Sequence, residues 1–180
     1  MNKYISMLRG INVSGQKKIK MDLLKKLYEQ AGFSFVQTYI QSGNIIFSHK
    51  SDNVPEIVNI IEAAIKKQFG FDVSVIIRTP QEMKKVTDSN PLNLQGDEFK
   101  RLYVTFLATS ADDSKTVLFE KYKAADDKFC LLENHFYFFC PGGYGKTKLS
   151  NNIIEKVYKC PATTRNWNTV NKLQTLSSSE

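Results

Sequence analysis

The order of patterned segments over the first 78 residues constrains this chain more than any other feature. Tyr4–Leu8 alternates as a half-buried strand does. Lys20–Ala31 carries Met21, Leu24, Leu27 and Tyr28 at helical spacing, and Gly32 follows as a helix stop. Phe35–Ile40 and Ile45–Phe47 flank Gln41-Ser42-Gly43-Asn44, a hairpin signal in which glycine supplies positive φ. Ile57, Ile60, Ile61, Ala64 and Ile65 mark a second helix ended by Gly70, and Val73–Ile77 is a last strand. The predicted order is β-α-β-β-α-β, the ferredoxin-like split βαβ, with strand order 4-1-3-2 and both helices on one face.

The remaining residues half-repeat this order. A helix is predicted over Pro80–Val86, then a loop over Thr87–Glu98 containing Asn90-Pro91 and Gly96. Arg101–Ala108 reads as a strand, and Ser114–Ala125 as a helix using Val117, Leu118, Lys121 and Tyr122. Phe129–Leu132 and Phe136–Cys140 form a hairpin about Asn134. Leu149, Ile153, Val157 and Tyr158 mark another helix. A helix from Arg165 to about Leu176 is predicted where a repeat would place its closing strand. Trp167, Val170 and Leu173 share its inward face. The expected class is therefore α+β. A ferredoxin-like subdomain occupies 1–78, and a smaller α+β subdomain with C-terminal helices occupies 79–180, with 79–99 as its connecting helix and loop.

Composition narrows the setting. Hydrophobic residues make up 42% of the 180, enough for a packed core. No apolar run has the length a spanning helix needs, and Met1-Asn2-Lys3-Tyr4 leads straight into a strand, so a cytoplasmic protein without a membrane partner is expected. The three cysteines, Cys130, Cys140 and Cys160, lack paired spacing and read as reduced core residues. Formal net charge is +7. The excess lies in residues 1–78 and 140–180, while 79–139 is slightly acidic. Lysines number 21 of the 25 basic residues, so much of this charge also fits an ordinary solvated surface.

Two segments gather donors for an anion. In a split βαβ the loop after strand one and the hairpin tip emerge at one end of the sheet. That placement brings Arg9, Asn12, Ser14, Gln16, Lys17 and Lys18 near Gln41, Ser42 and Asn44, expected as a concave basic site. Turn chemistry alone would also explain Gln41–Asn44. The second segment is Gly142-Gly143-Tyr144-Gly145-Lys146-Thr147. It fails the Walker A pattern, because the position six residues before Lys146 is Cys140 rather than glycine. A simpler anion nest around Lys146 survives as a reading. Arg165, placed in a helix first turn, opposes the helix dipole and so needs a carboxylate, a carbonyl or a bound anion to hold it. Lys146 and Arg165 thereby join the candidate ligand residues.

Catalytic templates do poorly. His49 and His135 have no metal-ligand spacing to a second His or Cys, and no metal or cofactor is expected. Asp112-Asp113 suits a helix N-terminus better than acid–base work. No nucleophile elbow, zinc-protease or dinucleotide pattern occurs.

Leu8-Arg9-Gly10-Ile11-Asn12-Val13, Tyr39-Ile40-Gln41-Ser42-Gly43-Asn44, Pro141 to Leu149 and Thr164-Arg165-Asn166-Trp167-Asn168-Thr169-Val170 occur in this order at these intervals. Together they resemble the bacterial domain-of-unknown-function family 1697, nearly end to end. The resemblance implies two α+β subdomains, the first ferredoxin-like, and carries no activity or catalytic residue. Three functions stay open. The favoured one is a noncatalytic binding module for an anionic ligand, either nucleic acid or a phosphate- or carboxylate-bearing molecule. The others are an enzyme on a phosphorylated or carboxylated metabolite, and a protein–protein adaptor. Against RNA recognition by the sheet, Asn44-Ile45-Ile46-Phe47 lacks the interleaved aromatics such sheets use.

Overall fold

The computed structural model describes residues 1–13 and 15–178. The chain divides into two compact units, Met1–Lys84 with the chain from Leu173 onward, and Lys85–Lys172.

In the first unit the order is β1 (Asn2–Leu8), α1 (Met21–Gln30), β2 (Ser34–Tyr39), β3 (Asn44–His49), α2 (Val54–Phe69) and β4 (Val75–Arg78). The strands lie in the order β2-β3-β1-β4, each antiparallel to its neighbours. This is the order that the split βαβ pattern requires. Alternate strand residues Tyr4, Leu8, Ile45, Phe47, Val75 and Ile77 share one core with Leu24, Leu27 and Tyr28 of α1 and Ile57, Ile61 and Ile65 of α2. Both helices therefore cover the same face of the sheet. The Asn53 side chain caps α2 by accepting from the Glu56 N–H at 3.2 Å, and Gly70 ends it at φ +80°. α3 (Pro80–Asp88) follows.

The second unit contains β5 (Leu102–Leu107), a 3-10 helix (Asp113–Tyr122), β6 (Lys128–Leu132), β7 (His135–Phe139), α4 (Asn151–Tyr158) and β8 (Ala162–Asn166), with α5 (Trp167–Ser178) after it. Strand order is β6-β7-β5-β8, again all antiparallel. The sequence pattern put a helix from Arg165 in place of a closing strand. The structure instead closes the repeat with β8 and starts α5 at Trp167. Ala-Thr-Thr-Arg-Asn carries no apolar alternation, so nothing marked it as a strand, although its threonines suit a pleated surface. Asn166, the last residue of β8, caps α5 by accepting from the Thr169 N–H at 2.8 Å. Trp167, Val170 and Leu173 are buried as their spacing implies.

The repeat extends to register. Tyr4 pairs with Phe47 and Tyr103 with Phe138; Ile5 pairs with Arg78 and Val104 with Arg165. Leu8 N donates to Gly43 O at 2.8 Å, and Leu107 N to Asn134 O at 3.0 Å. A helix glutamate accepts the first N–H of the closing strand in each unit, Glu62 from Val75 at 2.8 Å and Glu155 from Ala162 at 2.9 Å. Residue identity is kept at few of these positions, so the sequence hides a repeat that backbone pairing displays.

Candidate functional site

The loop after β1 and the β2–β3 tip do meet. The Asn12 carboxamide donates to Gln41 O at 2.8 Å and Ile19 O at 2.9 Å, and its oxygen accepts from Ile19 N at 2.8 Å. Gly43, at φ +78°, lies so close to this loop that a Cβ would sit 2.7 Å from Ile11 Cδ1 and 2.9 Å from Leu8 Cβ. Buried Asn44 donates to Tyr39 O and to Ser42 Oγ, each at 3.0 Å. Lys17 Nζ donates to the Asp72 carbonyl at 2.6 Å. Arg9 is half-buried, Lys18, Gln16 and Gln41 are exposed, and Ser14 lies outside the described residues. Topology thus gathers the donors, but the amides of Asn12 and Asn44 and the Lys17 ammonium are bonded to protein oxygens.

Lys146 and Arg165 belong to the second unit. Gly143 N donates to Cys140 O at 2.9 Å, Lys146 N to Gly143 O at 3.0 Å, and Tyr144 N to Tyr103 Oη at 3.4 Å. These N–H groups close the turn rather than face an anion, while the Lys146 side chain is exposed. Arg165 lies in β8, before the α5 cap, so it is not the dipole-opposing helix residue that its sequence position implied. Its Nη1 donates to Thr163 Oγ1 at 2.8 Å and Thr164 O at 2.9 Å. Burial pushes it down to about 10, an effect that nearby Tyr144 opposes.

A different group of cations lines a cleft of about 360 Å³ in the second unit: Lys115, Lys121, Lys156 and Lys159, with Leu118, Tyr122 and Val157 between them. One wall is the 3-10 helix. Sequence periodicity assigned Val117, Leu118, Lys121 and Tyr122 to an α-helix; the tighter turn keeps Tyr122 partly packed against the core, sends Phe119 fully into it and turns Val117 and Leu118 outward. Val117 is 68% and Leu118 46% exposed. Phe119 packs 4.7 Å from Phe136 and 5.4 Å from Tyr158 (ring centroids). Asp112 starts this helix by accepting from Ser114 N at 3.0 Å and Ser114 Oγ at 2.6 Å. The Asp112 carboxyl is held below the usual range chiefly by Ser114, with Lys115 adding to it.

The other wall is α4 and its end. Thr116 Oγ1 and Tyr158 Oη lie 3.2 Å apart in a hydrogen bond that ties the two walls, and burial pushes the Tyr158 hydroxyl up. Lys159 caps α4 at φ +56°, a left-handed position where glycine is favoured. Lys121 Nζ lies 5.0 Å from the centroid of the Tyr122 ring. Among the described residues none of the four lysines forms an ion pair with a carboxylate. Sequence reasoning missed this cluster because Lys115 and Lys121 fall in the segment whose net charge is acidic, while Lys156 and Lys159 fall in the next one. The available signal was the three-residue spacing of Lys115, Leu118 and Lys121, legible only to a reader expecting a 3-10 turn.

Two like α+β units, the second bearing a lysine-lined cleft, define the class of this protein. The family model described as Protein of unknown function (DUF1697) matches residues 1–137, and the chain belongs to that family. The chain is also similar in fold to the conserved bacterial protein SP0830 from Streptococcus pneumoniae. The two share 22% identity with a TM-score of 0.73, over 98% of this chain and 99% of that one. No curated protein matches the sequence. No helix among the described residues is long and apolar enough to cross a membrane.

Proposed function

We propose that this protein is a noncatalytic binding module for an anionic ligand, held in the lysine-lined cleft of the second unit. The carrying observation is four ammonium groups on one concavity of about 360 Å³ whose lining contains no carboxylate. Like charges gathered with no carboxylate among the lining residues favour an occupant of opposite sign, although Asp112 lies near enough to Lys115 to interact with it, and a concavity strengthens that field. The volume suits a small molecule. Its lining offers no carboxyl, imidazole or thiol to move a proton near neutral pH, which supports binding rather than catalysis.

Titration of the purified protein with inorganic phosphate and with citrate at low salt tests this. Lys121→Ala with Lys156→Ala is expected to weaken binding by about tenfold while changing folding stability by less than about 1 kcal/mol, because both side chains are exposed. Arg9→Ala with Lys17→Ala is the matching pair for the end of the first sheet, the competing location. Loss of binding in that pair, with the cleft pair unaffected, would move the site there.

A further inference from the structure

The cleft has a pattern as well as a charge. In a 3-10 helix residues three apart eclipse one another, so Lys115, Leu118 and Lys121 form a single row in which an apolar side chain separates two cations. At about 2 Å of rise per residue, the two lysines in this row originate about 12 Å apart. The facing wall brings Lys156 and Lys159 with Val157 between them in sequence, and Tyr122 adds an aromatic ring. Leu118 stays half in solvent although a core was available one residue away, where Phe119 is fully buried.

We infer that the ligand is a small organic dianion whose two negative groups are separated by an apolar body, and not a simple oxyanion or a nucleic acid strand. This assignment rests on the anion-binding reading above and adds the ligand class to it. Inorganic phosphate or a short dicarboxylate meets one end of the row and leaves Leu118, Val157 and Tyr122 without a partner. A phosphodiester strand needs a groove that continues past the lysines, and it presents charge at every nucleotide where this wall presents leucine. A ligand with anionic ends and an apolar middle satisfies both walls. Its second charge then binds as an intramolecular event, which raises affinity without new chemistry.

Isothermal titration calorimetry at low salt separates the outcomes. The probes are an α,ω-alkane dicarboxylate about ten carbons long, matching the span of about 12 Å given by two 3-10 turns, together with succinate, the monocarboxylate of equal length, inorganic phosphate and a single-stranded oligonucleotide. The long dicarboxylate is expected to bind at least about tenfold more tightly than succinate or the monocarboxylate, through the buried chain and the second charge. Leu118→Asn is expected to remove that advantage while leaving phosphate binding and the melting temperature unchanged. If phosphate and succinate bind as tightly as the long dianion, the ligand class is overturned and the anion site stands. If the oligonucleotide binds most tightly, the small-ligand assignment is overturned. If none of the probes binds, the anion site itself is overturned.

Discussion

The carboxamide of Asn12 makes three hydrogen bonds, to Gln41 O, Ile19 O and Ile19 N, and its backbone sits at φ +56°. Asparagine tolerates the left-handed region better than most residues, and here its side chain also joins the loop after β1 to the β2–β3 tip. Asn12→Ala removes the bonds and adds backbone strain, so it is expected to cost about 2 kcal/mol in urea unfolding. Asn12→Gly keeps the backbone and loses only the bonds, and so falls between wild type and the alanine variant. An alanine variant within about 0.5 kcal/mol of wild type would show that the bonds contribute nothing net. Donor-rich loops of this kind read from sequence as binding sites. Once folded, their donors have backbone partners close by, and those partners consume them.

At the scale of elements, the two units end their second helices differently. Gly70 closes α2 at φ +80°, whereas Lys159 closes α4 at φ +56° and also lines the cleft. A non-glycine residue in this region is strained by about 1–2 kcal/mol, so the structural preference at this cap is glycine. Lys159→Gly is therefore expected to raise stability by about 0.5–1 kcal/mol and to weaken anion binding, an exchange of stability for function. Thermal unfolding and calorimetry on the same preparation check both signs, and a variant that loses stability would refute the strain at Lys159. The contrast also shows what the sequence made legible. The helices α1 and α2 were plain, because Leu24, Leu27 and Tyr28, and then Ile57, Ile61 and Ile65, repeat at helical spacing with a glycine behind each run. The order β2-β3-β1-β4 followed from that pattern together with the rules of chain connection. The strand β8 was hidden because Thr163 and Thr164 give no apolar alternation beside Trp167. The 3-10 helix was mistaken because Val117 and Leu118 look inward at helical spacing. The cleft depended on the second of these, since two of its lysines come from the misread wall and two from the end of α4, whose partner lay 30 or more residues upstream.

For the molecule as a whole, 21 lysines to 4 arginines and a net charge of +7 leave nucleic acid as a partner to be tested. A protein that reads bases uses arginine forks or aromatic platforms. On β3, in the first sheet, the residues are Asn44-Ile45-Ile46-Phe47, all four buried, so none presents an exposed ring. What the charge can supply is attraction to phosphates, which is diffuse and lost with salt. Each phosphate neutralised contributes a slope of about −0.7 to log K against log salt for single strands. Three or four contacts then lower affinity by about twentyfold to fiftyfold between 50 and 200 mM salt. Any oligonucleotide binding is accordingly expected to be weak, indifferent to sequence and nearly absent at 200 mM salt, while a dianion in the cleft retains more of its affinity through the buried apolar body. Fluorescence anisotropy with two unrelated single strands and one duplex at both salt concentrations makes the comparison. Tight binding at 200 mM salt, or a preference of about tenfold between the strands, would mean that this surface reads nucleic acid directly and that its lysine excess is not simply solvated charge.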